Sequence, residues 1–243
     1  MSTDRLYQQP HEQIRNFAFT AQVAEVFADM VQRSVPGYGL MLELLPVLSA
    51  RHMSAGSVCY DLGCSLGAAS LAVQQGIRAP GCRIIAVDNS DAMLARAREL
   101  TAGLQGPAAM MWQSADVAQM DFEPCALVVM NLTLQFIPRE QRMALLQRIH
   151  EALVPGGALI LSEKLRFADP LQQQVLTELH HDFKRAQGYS DLEIAQKRAA
   201  IEQVLLPDTP EFHMERLRTL GFSVLPWFQC LNFASFLALK GAM

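Results

Sequence analysis

The sequence predicts an α/β fold, a mostly parallel sheet with helices on both faces. Three observations carry that expectation. From Ser57 onward, short apolar or β-branched strands alternate with helical segments through about five units, as strand–helix–strand crossovers require. The first strand runs into a glycine-containing turn that opens a helix. The composition, 51% hydrophobic and 18% charged over 243 residues, belongs to a globular chain with a sizeable core.

The elements follow in order. Residues 19–33 (FTAQVAEVFADMVQR) place apolar side chains at helical spacing, Pro36-Gly37 breaks the pattern, and LMLELLPVLSARHM resumes it. SVCYDL reads as the first strand, GAASLAVQQ as a helix, CRIIAVD as the second strand, and MLARARELTAGL as a helix with Ser90 as N-cap. AMMWQS is a weaker strand; CALVVMN is a stronger one, apolar on both faces as buried parallel strands are. The helix PREQRMALLQRIHEAL, with Pro138 near its start, stops at Pro-Gly-Gly before the strand ALILSE. After Lys164 the alternation lapses. PLQQQVLTELHHDFKRAQ and SDLEIAQKRAAIEQVL read as helices parted by Gly188, and FHMERLRTL as a third ended by Gly221. FSVLPWFQC and NFASFLALK close the sheet as an antiparallel hairpin at its edge. We expect one domain over residues 1–243, with an N-terminal helical cap at 1–55 and a helical insertion at 165–205.

Several function classes are disfavoured. A net charge of −4 argues against a surface that grips nucleic acid directly. Five cysteines, with no CxxC pair, give neither a disulfide framework nor metal-ligand spacing, so no metal is expected. The N-terminal MSTDRLYQQPHEQIRNF lacks a signal peptide's basic-then-apolar build, and no apolar run reaches membrane-spanning length; a cytoplasmic protein with no membrane partner is expected.

The turn DLGCSLGA, Asp61 to Ala68, is the strongest local signal. A dinucleotide site would want GxGxxG, which fails here. A hydrolase nucleophile elbow wants GxSxG, which Gly63-Cys64-Ser65-Leu66-Gly67 satisfies. Context opposes the elbow: helices, not strands, precede the first strand, and the downstream His180, His181 and His213 sit in expected helices. A purely structural strand-to-helix turn is the bland reading. The third is a nucleoside site in which an acidic residue precedes a short glycine turn, so that a ligand meets backbone and helix amides.

Later strand ends add to it. Asp88, closing CRIIAVD before Asn89, is placed for both hydroxyls of a ribose, or merely to cap the next helix. Asp116-Val117 offers a polar and an apolar group for an adenine, or is an ordinary loop pair. Asn131 ends CALVVMN at the carboxyl edge, as a ligand contact or a turn cap. His180 and His181 are adjacent, point about 100° apart on a helix and cannot act as an i, i+4 metal pair. Lys184-Arg185 and Lys197-Arg198 either line one electropositive wall or face solvent.

This order of strand ends resembles the Rossmann-like class I S-adenosylmethionine-dependent methyltransferase fold over residues 56–164. The segments VAEVFADMVQRSVPGY, YDLGCSLGAAS, AVDNS, NLTLQF, PGGALILSEK, HHDFKRAQGYS and WFQCLNFASFLALK resemble the carboxy-S-adenosyl-L-methionine synthase family nearly end to end. The resemblance implies that Tyr38, Gly63, Cys64, Ser65, Asp88, Asn89, Asp116, Val117 and Asn131 surround the adenosyl-sulfonium ligand. It also implies that Arg198 clamps the added carboxylate. Spacing alone would make Arg198 a solvated helix arginine.

The resemblance further implies conversion of S-adenosyl-L-methionine and prephenate into carboxy-S-adenosyl-L-methionine and phenylpyruvate. A homodimer is implied, as is a downstream transfer-RNA uridine carboxymethyltransferase that uses the product for 5-oxyacetic acid uridine at the wobble position. No protein acid or base is expected to carry the reaction: a sulfonium methyl is too weak an acid for Asp, Glu or His to deprotonate usefully. A substrate that loses carbon dioxide meets that need. Two rivals share the ligand site, an ordinary methyltransferase and a non-catalytic carrier of the ligand.

Overall fold

The computed structural model describes residues 2–10 and 16–241; residues 11–15 of the expected cap, with residues 1, 242 and 243, lie outside the described residues. The cap supplies helices α1 (Ala21–Ser34) and α2 (Tyr38–His52). The sheet strands are β1 (Val58–Leu62), β2 (Arg83–Asp88), β3 (Ala109–Ser114), β4 (Cys125–Asn131), β5 (Leu153–Lys164), β6 (Phe222–Cys230) and β7 (Phe233–Lys240). Helices α3 (Ala68–Gly76), α4 (Asp91–Thr101) and α5 (Arg139–Ala152) join the early strands. Helices α6 (Pro170–Ala186), α7 (Asp191–Ile201) and α8 (Pro210–Thr219) lie between β5 and β6.

The sheet has seven strands in the order β3-β2-β1-β4-β5-β7-β6. β1 to β5 run parallel; β7 pairs antiparallel with β5 and with the edge strand β6. The strand order reverses at β1, so a crevice opens beyond the carboxyl ends of β1 and β4, where ligands bind in such sheets. Among the described residues no helix is long and apolar enough to cross a membrane.

Alternate residues of the central strands pack to opposite faces. Leu62, Val128, Met130, Leu159 and Leu161 meet Leu145, Leu146 and Ile149 of α5 on one face. Cys59, Ile84, Leu127, Val129 and Ile160 meet Ala69 and Val73 of α3 and Leu45 of α2 on the other. Each fully buried aliphatic side chain contributes roughly 2 kcal/mol. Helices α2 and α3 touch backbone to backbone: a Cβ on Gly76 would lie 2.0 Å from the Pro46 carbonyl oxygen. Ser49 Oγ adds a hydrogen bond of 2.9 Å to the Val73 carbonyl.

The expected elements all form, and a few ends differ. Ser90 caps α4, its hydroxyl accepting from the Met93 amide at 3.2 Å. Pro155-Gly156-Gly157 does not stop before a new strand; it lies inside β5, where the register against β4 shifts between Cys125 and Leu127. Gly156, at φ +78°, supplies the left-handed turn such an irregularity needs. Helix α7 ends at Ile201 rather than running to Leu205. Pro226 stands in edge strand β6, beside a second register shift.

Candidate active site

The β1–α3 turn is built to expose backbone. Gly63 and Cys64 amides both donate to the Val87 carbonyl, at 2.8 and 2.9 Å, and the Gly67 amide donates to the Cys64 carbonyl at 2.8 Å. Gly63 and Gly67 adopt φ +75° and +81°, which only glycine holds without strain, and Ser65 is forced to +51°. Space excludes a side chain at both glycines: an added Cβ on Gly63 would stand 2.3 Å from Thr133 Oγ1, and one on Gly67 2.4 Å from the Trp112 ring. The turn is braced from β2, because the Ser65 amide donates to Asp88 Oδ2 at 2.8 Å. Asp88 Oδ1 accepts from the Ser90 amide at 2.9 Å, so the carboxylate both holds the turn ahead of α4 and lines the cavity.

A cavity of about 700 Å³ lies over these strand ends. Tyr38 of α2, Gly63, Cys64 and Ser65 of the turn, and Asp88 and Asn89 after β2 line it. Asp116 and Val117 after β3, Asn131 at the end of β4, and Arg198 of α7 complete the expected set in the same wall. Asp116 Oδ1 also accepts from the Ala118 amide at 2.9 Å, so the residue shapes its own turn as well.

Three buried acceptors in this cavity have no hydrogen-bond partner among the described residues: Asp61 Oδ1 and Asn131 Oδ1 at the ends of β1 and β4, and Asn232 Oδ1 between β6 and β7. The other Asp61 oxygen accepts from the Ser70 hydroxyl at 2.5 Å. Burial pushes the Asp61 carboxyl up to about 6, against the lowering effect of the Ser70 bonds; the nearby Asp88 raises it further. Burial and the charges of Asp61 and Asp88 push the Cys64 thiol far up, so it stays protonated and is no nucleophile. Unmatched acceptors at one end of a cavity suit a ligand bearing N–H donors and positive charge.

Farther along the same sheet edge, beyond β4, the cavity is basic. Lys164 at the end of β5, Lys184 of α6 and Arg198 line it, with His181. Arg198 Nε pairs with Glu202 one helical turn on, while no described residue takes its terminal nitrogens. The expected lysine–arginine pairs divide by their partners. Lys184 faces the cavity, and its neighbour Arg185 reaches outward to Asp182 and Asp191, at 2.6 and 2.7 Å. Arg198 stands at the cavity, and its neighbour Lys197 turns inward to Asp4. His180 Nε2 donates to the Ser34 carbonyl at 2.8 Å, a tie between cap and insertion.

Sequence reasoning missed Thr133 and Lys164 as wall residues, and it marked Asp61, the acidic residue before the glycines, without giving it a contact of its own. Leu132 takes φ +64° and donates its amide to the Ser162 carbonyl at 2.7 Å, strain that fixes the loop after Asn131. The buried Glu163 carboxylate holds the next turn by accepting from the Leu134 and Gln135 amides at 2.8 and 2.9 Å. No cluster of three His, Cys, Asp or Glu that could hold a metal occurs among the described residues.

Known proteins fit this geometry. A methyltransferase-domain family model matches residues 59–157, the stretch from β1 into β5. Human N-acetylserotonin methyltransferase, solved with S-adenosylmethionine, superposes with a TM-score of 0.61 at 18% identity, covering 91% of this chain and 56% of that one. The magnesium protoporphyrin IX methyltransferase of Synechocystis gives a TM-score of 0.59 at 18% identity, with 87% of each chain covered. These two share the fold. The carboxy-S-adenosyl-L-methionine synthases of Pseudomonas entomophila and Trichlorobacter lovleyi are 58% and 56% identical, over 97% and 98% of this chain and 98% of each of theirs. At that identity over that length, the chain belongs to the carboxy-S-adenosyl-L-methionine synthase family, enzymes built on the class I methyltransferase fold.

Proposed function

We propose that the cavity binds S-adenosyl-L-methionine across the carboxyl edge of the sheet and carboxylates its methyl group at the expense of prephenate. The observation that supports this most is the mixed charge of one cavity: Asp61 and Asp88 at the ends of β1 and β2, Lys164 at the end of β5 with Lys184 and Arg198 of the insertion. A cationic sulfonium amino acid suits the first end and carboxylates suit the second.

The residues divide the work by chemistry. The unpartnered oxygens of Asp61 and Asn131 take the ammonium group, and the Gly63–Ser65 backbone lets the amino-acid moiety approach closely. Asp88 keeps lone pairs free for the ribose diol beside its two amide bonds. Asn89, Asp116 and Val117 bound the adenine, and Tyr38 closes the site from the cap. Arg198 presents its free terminal nitrogens to the new carboxylate.

The balance needs no protein base. Prephenate loses carbon dioxide and its ring hydroxyl, leaving phenylpyruvate. The departing hydroxide takes the methyl proton as water, and the exposed carbon pair bonds to carbon dioxide before it escapes. The protein contributes positioning, positive charge and exclusion of water. Its product is an activated carboxymethyl donor, assigned here to a transfer-RNA uridine carboxymethyltransferase; the chain is read as a cytoplasmic homodimer.

The test is incubation with S-adenosyl-L-methionine and prephenate carboxyl-labelled with carbon-13. We expect labelled carboxy-S-adenosyl-L-methionine by mass spectrometry. Carboxyl drawn from bulk bicarbonate overturns the closed-site scheme. Methyl transfer or absence of turnover overturns the activity, in favour of a methyltransferase or a carrier.

A further inference from the structure

Lys164 and Lys184 stand in the cavity wall without a hydrogen-bond or ion-pair partner among the described residues, although both are partly buried. Every other buried lysine and arginine among the described residues is matched. Arg142 and Arg216 share Asp208, each at 2.7 Å, and Lys197 has Asp4. In the cavity, Glu202 is the one acidic neighbour of this group, and it is already paired with Arg198. The surplus is therefore two basic groups, with no described residue to offset them.

We propose that Lys164 and Lys184 form a second anion subsite, separate from Arg198, that receives an aryl-sized dicarboxylate, the carboxyl donor of the reaction. This rests on the proposed function and names residues for its second substrate. Three features of the wall fit. Two amines match two carboxylates in number. Phe233 pairs in register with Lys164 across β7 and β5, and with Ile201 and Leu205 it gives the subsite an apolar side for a six-membered ring. His180, whose ring meets Phe233 edge-on at 5.2 Å, is kept neutral by burial and then by the charges of Lys184 and Lys164, against the raising effect of its bond to the Ser34 carbonyl, and leaves the charge to the lysines. Burial first, then the neighbouring charges of Lys164, Lys197 and Arg198, bring the Lys184 ammonium down to about 7, and a bound dianion relieves that repulsion.

The experiment separates this from the parent reading. Prephenate and the stable analogue phenylsuccinate are titrated calorimetrically into protein loaded with S-adenosylhomocysteine, which has no sulfonium methyl and cannot turn over. We expect Lys164→Met and Lys184→Met each to weaken both dicarboxylates about tenfold or more, the scale of one charge-assisted contact. S-adenosylhomocysteine affinity should stay within about twofold, which also reports that the variants fold. Lys184→Arg should recover most of the loss, and Arg185→Met, which removes the next charge on α6, should change nothing. Dicarboxylate affinity unaltered in both Met variants, or absent in the wild type, overturns the subsite. If product forms while the Met variants bind normally, the proposed function stands and the subsite falls. If the lysines bind dicarboxylate but no carboxylated product appears, the subsite stands and the function falls.

Discussion

Lys197 and Asp4, 193 residues apart in the sequence, meet inside the protein with Nζ 2.7 Å from Oδ2. Tyr189 joins them, its hydroxyl donating to Asp4 Oδ2 at 2.6 Å, and Arg33 lies over the Tyr189 ring. The first residues of the chain are thereby fastened to α7, the helix that carries Arg198.

Asp4→Asn should loosen this clasp. It leaves a buried ammonium without its counter-charge, a loss of about 3 kcal/mol. Burial alone would raise the Asp4 carboxyl, but the Lys197 charge and hydrogen bonds from Lys197, Tyr189 and the Leu6 amide hold it below its ordinary value of 3.8. A lowered acid contributes stability above pH 3.8 that disappears as pH falls through the folded value. Thermal melts of wild type should therefore drop with acid below about pH 4, and melts of Asp4→Asn should lack this component. Hydrogen exchange should show α7 opening first.

Asp61 makes ligand binding depend on pH. Its carboxyl is raised to about 6, so without ligand its contribution to stability falls as pH rises through the window from 3.8 to about 6. A cationic ligand favours the ionised form, so affinity for S-adenosyl-L-methionine should fall as pH drops from 7 toward 5. Calorimetry across that range should show a flat profile for Asp61→Asn, with weaker binding at pH 7.

Arg198→Ala should separate two ligands. With the side chain 57% exposed, solvent screens it, and we expect carboxy-S-adenosyl-L-methionine to lose about tenfold, about 1.4 kcal/mol. Plain S-adenosyl-L-methionine should change by less than about twofold. Equal losses, read by competition binding, would remove Arg198 from the clamp role.

Gly63→Ala tests the turn. The new methyl meets Thr133 Oγ1 at 2.3 Å and the backbone must leave φ +75°. The protein should remain folded by circular dichroism, because the clash is confined to a loop, while S-adenosyl-L-methionine affinity falls by more than about tenfold. Retained affinity would mean that the turn does not meet the ligand.

The sheet was legible because its signals are local. CALVVMN is apolar on both faces, and Ser90 and Gly221 punctuate their helices as their chemistry requires. The strand-end residues followed from topology, since a doubly wound sheet gathers them at one edge. The faces of α7 were not legible. Its buried residues include Glu193, Gln196 and Lys197, so hydropathy gives no period to follow, and of two adjacent cations at the cavity Lys197 is buried on Asp4 while Arg198 is exposed. Lys164 escaped notice for a related reason: its role depends on α6 and α7 folding back over β5, a long-range event that no neighbouring residue announces.

Pro226 sits in the outermost strand, where it withholds an amide and lies beside a register shift. Such a border is a poor template for another chain to zip against. Association of two copies through continued strand pairing on that side is thus blocked, and contact there must be made by side chains.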